Sequence, residues 1–178
     1  LYESAGGPTE WRPVDVLIDE PILDPTLLEH EGRWWLFGTL EGHYPDTMLY
    51  LWHADRPAGP WRRHATNPVK CDVRSSRPAG ALFRHEGRLY RPAQDCSHTY
   101  GGAVAINRVE RLSTLEFREE TVTTIRPSSD SPYPHGTHTL AGWGARTLVD
   151  GKRRVFVPRA SLRYLDRKLS RKSNKQSF

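Results

Sequence analysis

A short phrase written three times constrains this chain more than any other feature. It reads Glu31-Gly32-Arg33 ahead of Trp34-Trp35-Leu36-Phe37, Glu86-Gly87-Arg88 ahead of Leu89-Tyr90-Arg91-Pro92, and Asp150-Gly151-Lys152 ahead of Val155-Phe156-Val157-Pro158. Glycine takes the positive φ that a two-residue turn needs, and apolar runs on either side make such a turn a β-hairpin. The turns recur 55 and 64 residues apart. A supersecondary unit repeated at that interval is the mark of a blade or solenoid architecture.

The repeat extends beyond the turns. Pro25-Thr26-Leu27-Leu28 and Ala79-Gly80-Ala81-Leu82-Phe83 are matched strands upstream of the first two hairpins, and Met48–Trp52 answers Gly102–Ile106 downstream. Asp55–Trp61 and Glu110–Phe117 then each make a turn ending in an aromatic that begins an outer strand. Four strands per unit is the count of a propeller blade. The expected fold is therefore all-β, part of a β-propeller with about three four-stranded blades. Residues 21–69, 72–125 and 134–159 form the units, and residues 1–20 form the edge of a preceding blade or a linker, with one strand suggested by Trp11, Val14, Val16 and Ile18. Three prolines make 126–134 an inter-blade loop, because proline is excluded from helix interiors and central strands. Closed propellers have about four to eight blades. Three blades alone would leave strand edges open, so remaining blades are expected from further sequence or from a partner chain.

Charge is localised. Residues 163–178 carry Arg163, Arg167, Lys168, Arg171, Lys172 and Lys175 against Asp166, which accounts for the whole formal charge of +5. The body is neutral, so no nucleic-acid partner is expected. The stretch 160–178 reads as a solvated, basic, disordered tail, with contact to an anionic membrane surface through 163–178 as the alternative. Arg163–Leu169 could begin a short helix. Cys71 and Cys96 are too few for a disulfide framework and lie in no metal-binding doublet, so free buried thiols are expected, a single bridge between neighbouring strands remaining open. No apolar run reaches the length of a membrane span and no leader is recognisable, which leaves cytoplasm and cell envelope both open. No phosphate loop, nucleophile elbow, zinc doublet or dinucleotide fingerprint is present, so neither metal nor cofactor is expected.

In a propeller the innermost strand of each blade lines the axis, and polar residues at the strand starts converge on one pocket. Here those starts supply Asp24, Arg77, His135 and His138, and the strand after the second turn adds Arg91, Gln94, Asp95 and then Tyr100. Asp24 is also suited to capping the turn ahead of Pro25. Arg77 could present its fork to a ligand or pair with Asp24 or Asp95. His135 and His138, three apart, fall on opposite faces of an extended strand, which argues against a two-histidine metal site and makes His138 the inward one. Trp34, Trp35, Trp52, Trp61, Tyr90 and Phe117 read as packing between blades. Trp143, in a loop between Gly142 and Gly144, reads as a sugar-stacking platform.

Asp24-Pro25 entering a strand, followed by a glycine turn and Trp34–Gly38, resembles a blade of the five-bladed furanosidase-type propellers of glycoside hydrolase families 43, 32 and 68. Asp24-Pro25-Thr26-Leu27, Gly59-Pro60-Trp61, Asn67-Pro68-Val69, Arg77-Pro78-Ala79-Gly80, Tyr90–Asp95, Tyr100-Gly101 and His138-Thr139-Leu140 are together similar to the N-terminal propeller of glucosamine inositolphosphorylceramide transferases and its bacterial relatives, over roughly residues 20–158. The resemblance implies a five-bladed propeller that recognises or modifies a glycan or glycolipid. It puts Asp24 at the position of the pKa-tuning carboxylate of the hydrolases. Where those families place their acid, this chain has Arg77-Pro78, and glycoside hydrolysis needs a protonated carboxyl there. Asp95 is the candidate substitute. The resulting expectation assigns Asp24, Asp95 and His138 to chemistry and Arg77, Arg91, Gln94, Tyr100, His135 and Trp143 to binding. The alternatives are a glycosidase or transglycosidase with a non-standard acid, and a non-catalytic scaffold beside a glycosyltransferase.

Overall fold

A computed structural model describes residues 1–155, Trp143 by its backbone alone. It is all-β, with no helix among the described residues. The strands are β1 (Tyr2–Gly7), β2 (Glu10–Pro13), β3 (Ile22–His30), β4 (Arg33–Leu40), β5 (Met48–Ala54), β6 (Arg62–Arg63), β7 (Lys70–Cys71), β8 (Phe83–His85), β9 (Arg88–Asp95), β10 (Ala103–Leu112), β11 (Phe117–Ile125), β12 (Leu140–Trp143) and β13 (Arg146–Val149).

Two antiparallel meanders form the body. The first sheet runs β3-β4-β5-β6, with β7 also pairing to β5, and the second runs β8-β9-β10-β11. The first two repeated turns are the hairpins that start them. Glu31 and Gly32 have φ of 51° and 71°, and Glu86 and Gly87 have 49° and 72°. Positive φ at both central residues gives the turn whose twist matches that of the flanking strands.

Each face of these sheets finds a cover. Trp35, Phe37, Leu49 and Leu51 of the first sheet pack with Leu82, Leu112 and Phe117 of the second. Phe37 meets Phe117 edge-on at 5.9 Å between ring centres, the arrangement the aromatic quadrupole favours. The opposite face of the first sheet, with Leu36, Tyr50 and Trp52, is covered by Ile18, Ile22 and Trp61. Val104 and Ile106 of the second sheet pack on Ala79 and Leu140, which brings the β12-β13 hairpin against it. Leu140 N–H donates to Ala79 O at 2.7 Å. A Cβ on Gly80, whose φ is 132°, would lie 2.0 Å from Leu140 O, so only glycine allows that approach.

Several local expectations change. The third repeated phrase is not a hairpin turn: the chain reverses at Gly144-Ala145 between β12 and β13, and Asp150-Gly151-Lys152 follows the hairpin. Trp143 consequently ends β12, its backbone opposite Arg146, instead of lying in a loop. The third unit shows two strands among the described residues, where four were expected. Residues 1–13 form a two-stranded hairpin turning at Pro8-Thr9, and Val14–Ile18 is irregular. Both cysteines are free, but Cys71 is exposed and only Cys96 is partly buried. The segment 126–134 is irregular, as its prolines require. The basic tail, the short helix within it and the end of the third unit lie outside the described residues. No described helix is long and apolar enough to cross a membrane.

Candidate functional site

The site begins at a bulge. Pairing of β3 with β4 shifts between Leu23 and Thr26, and Asp24 within that step takes φ 51°. Aspartate tolerates this conformation better than most residues. The bulge re-aims the Asp24 carboxylate away from the regular strand pattern, and it accepts from Arg77 Nε at 2.6 Å across the gap between the first and second sheets. Arg77 Nη1 donates to Asp46 Oδ1 at 2.9 Å, from the loop joining β4 and β5. The Arg77 side chain is 12% exposed, whereas Asp24 and Asp46 are 38% and 43% exposed. A nearly covered cation thus holds two carboxylates that still face solvent. Burial works against the Arg77 charge, and the hydrogen bonds from Asp24 and Asp46 outweigh it, so its pKa is raised.

Gln94 braces the same carboxylate. Its Nε2 donates to Asp24 Oδ2 at 3.2 Å and to Pro78 O at 2.9 Å. Tyr100 adds a ring: the Arg77 guanidinium carbon lies 4.9 Å from its centre, within range for a cation–π contact. On its other side Tyr100 meets His138 edge-on at 5.6 Å. A Cβ on Gly101 would lie 2.5 Å from His138 Cβ, so this glycine lets the two segments close together.

His138 is oriented by Asp150. Asp150 Oδ1 accepts from the backbone N–H of His138 and Thr139 at 2.8 and 2.7 Å, and Oδ2 bonds to His138 Nδ1. Burial pushes the Asp150 pKa up, but these bonds dominate and hold it below the usual carboxylate range. With Nδ1 engaged, Nε2 is the ring nitrogen left to meet a ligand. Lys152, two residues on, donates to Tyr100 O. Asp24, Asp46, Arg77, Gln94, Tyr100, His138, Asp150 and Lys152 therefore form one continuous polar chain joining three sheets. It can accept hydrogen bonds at the carboxylates, offer an aromatic face, and exchange a proton at His138.

Other expected residues go elsewhere, for reasons the strand period supplies. Asp95 follows Gln94 and so projects from the opposite face of β9. Its Oδ1 accepts from Ser97 N–H and Oγ–H, and it lines a separate cavity of about 260 Å3 with His98, Arg126 and His135. His135 Nδ1 accepts from Arg154 N–H at 3.1 Å. The two histidines diverge as expected, but from an irregular loop and not a strand. Arg91, expected to bind ligand, is fully buried and bonds Glu119, Ser75 O and Ser76 O, so its charge is not presented to a ligand. The Trp143 side chain lies outside the described residues. No group of three or more described His, Cys, Asp or Glu residues could hold a metal ion.

Sequence reasoning missed Asp46, which lies in a loop with no motif, and misread Asp150 and Lys152 as turn residues. The third acidic-Gly-basic phrase could have signalled them, because its spacing departs from that of the first two.

Residues 1–134 match the family model described as glucosamine inositolphosphorylceramide transferase 1, N-terminal. Over 124 residues the chain is 41% identical to glucosamine inositolphosphorylceramide transferase 1 of Oryza sativa subsp. japonica, covering 67% of this chain and 17% of that protein. Identity to the Arabidopsis thaliana protein of the same name is 36% over 124 residues, covering 67% and 16%. The chain thus spans about one sixth of the length of these relatives. Among solved structures, a thermostable family-43 glycoside hydrolase aligns with TM-score 0.41 and 17% identity, over 62% of this chain and 38% of that one. A family 117 glycoside hydrolase produced by the marine bacterium Zobellia galactanivorans aligns with TM-score 0.49 and 15% identity, over 82% and 46%.

Proposed function

The chain belongs to the family of glucosamine inositolphosphorylceramide transferase 1 N-terminal regions, and from that footing we propose that it is a carbohydrate-recognising, propeller-type domain binding a glycan or the sugar headgroup of a glycolipid. The observation that carries this reading is the pair of half-exposed carboxylates, Asp24 and Asp46, held by one covered guanidinium beside the Tyr100 ring. Carboxylates fixed in this way accept bonds from vicinal hydroxyls, or from the ammonium of an amino sugar, and an aromatic face next to them suits the C–H face of a pyranose or furanose. Arg77 serves as the clamp and not as the ligand contact.

A propeller reading of the fold rests on two successive four-stranded meanders packed face to face, followed by a third hairpin in the same relation. Five blades, and the boundaries 21–69, 72–125 and 134–159, are part of the same proposal, with the remaining blades supplied by further sequence or a partner chain. A second reading, sugar-bond chemistry, is favoured by one observation: the His138 ring anchored by Asp150 next to the same Tyr100. There His138, and not Asp95, would move the proton.

The test is calorimetric titration of the full chain with methyl pentofuranosides, fructosides and glucosamine glycosides, alongside Asp24→Asn/Asp46→Asn. Binding to one of these classes, lost in the double variant with the fold intact by circular dichroism, is expected. Binding that survives the double variant, or none to any class, overturns the proposal. Product analysis of the same mixtures, with His138→Gln as control, decides the second reading.

A further inference from the structure

At the opposite ends of the same strands a groove of about 710 Å3 separates the first two sheets. The candidate sugar site sits at the start of β3 and the end of β9; this groove is lined from the end of β3, at His30, and the start of β9, at Arg88. Six residues of strand lie between, roughly 20 Å at the rise of an extended chain. The groove is independent of everything proposed above.

Its charges do not balance. Arg84, Arg88, Arg108 and Arg111 line it against Glu31 and Glu110. Arg108 is met by Glu110 and, at 2.8 Å, by Glu120, and Arg111 by Glu116 at 3.3 Å. Arg84 instead crosses from the second sheet to the first and donates from Nη2 to His30 Nδ1 at 2.7 Å. A nitrogen that accepts from a guanidinium carries no proton, so His30 is neutral there and leaves the Arg84 charge uncompensated. Its proton sits on Nε2, 3.8 Å from Glu31 Oε1, and is one more donor at the groove. Among the described residues Arg88 has no carboxylate partner either. Two guanidiniums without counter-charges, one of them fixed in place by a bond across the sheet junction, are an arrangement an unoccupied ion-pair network does not leave elsewhere in this molecule.

We propose that this groove is an anion site that takes a phosphate monoester or diester between Arg84 and Arg88. A guanidinium presents parallel N–H donors that match two phosphate oxygens, and such charge-assisted bonds are about twice as strong as neutral ones. The Arg84–His30 bond sets the direction of one fork in advance, which lowers the ordering cost of binding. The phosphate is either a soluble sugar or inositol phosphate or the headgroup of a lipid, since the groove opens at the hairpin ends of two sheets.

The test compares the full chain with its Arg84→Gln/Arg88→Gln variant. Inorganic phosphate and myo-inositol 1-phosphate are titrated by two-dimensional NMR. Both proteins are also co-sedimented with phosphatidylcholine vesicles, with and without phosphatidylinositol. The basic tail is present in both proteins, so the difference between them reports the groove. Shifts at the His30 and Arg84 signals, weakened about tenfold in the variant, are expected, and they should weaken further with added salt. Response to the soluble phosphates identifies a free phosphate ligand; variant-sensitive sedimentation without it identifies a headgroup. No response to either probe, or an equal response from the variant, overturns the proposal. Sugar binding at Asp24 and Asp46 is expected to be unchanged in the variant, so failure of one site does not entail failure of the other.

Discussion

Arg91 and Glu119 form a doubly bonded ion pair almost out of reach of water: Nε and Nη2 of the arginine meet the two carboxylate oxygens at 2.8 and 2.5 Å, and the side chains are 1% and 2% exposed. Lys70 adds a third charge at 2.7 Å from Glu119. Burial pushes the Glu119 pKa up, but Arg91 and then Lys70 outweigh it and hold it low. The cluster ties β7, β9 and β11 together. Removing one member of a buried pair leaves the other charge uncompensated, at a cost of about 3–5 kcal/mol. Glu119→Gln should therefore lower the denaturation midpoint far more than Arg91→Met/Glu119→Leu, a comparison that chemical denaturation reads directly.

His64 joins the first two sheets in its neutral form. Its Nε2 bonds Ser113 O at 2.8 Å and its Nδ1 accepts from Thr66 N–H at 3.2 Å. Burial lowers its pKa, the Ser113 bond opposing. The unfolded chain, with an ordinary histidine near pH ~6.5, then binds a proton that the folded chain refuses. Stability should be full above that pH and decline as pH falls through it. Thermal melts from pH 8 to 5 are expected to show this slope, and His64→Gln should flatten it. An unchanged slope in the variant would remove His64 from the account.

Gly80→Ala should detach the third hairpin. The new Cβ would meet Leu140 O, and φ 132° is strained for any side chain. The expected result is loss of the Leu140 amide's protection from hydrogen exchange, with the amides of β9 and β10 retaining theirs.

Asp150→Asn should loosen the His138 loop. It weakens charge-assisted bonds to the His138 and Thr139 amides, of which each is worth about 1.5–3 kcal/mol at most. Faster exchange at Thr139 and a broadened His138 ring signal are expected; unchanged exchange there would place the orientation of His138 in the backbone alone.

The fold was legible where residues carry a period or a turn signature. Glu31-Gly32 and Glu86-Gly87 announced their hairpins because acidic-glycine turns between apolar runs have few other solutions. The same phrase at Asp150-Gly151 misled, since a side chain that caps amides on a neighbouring loop looks identical to one that starts a turn. Arg77 and Asp24 were legible because both stand at strand starts beside proline. Asp46 was not, as loop residues acquire meaning only when tertiary packing brings a cation to them. Arg91 could not be told from Arg77 in sequence. Its partner Glu119 lies two strands away, and only register shows that it points inward.

Arg77 already holds two carboxylates, and these are tethered to it by the fold. Asp24 and Asp46 behave toward Arg77 as a built-in competitor at high effective concentration. A free acid would have to evict them and leave two anions stranded, while a polyol or an ammonium would add to them without eviction. The ion pair therefore acts as a filter on ligand charge: it admits uncharged or basic sugars and turns acidic ones away.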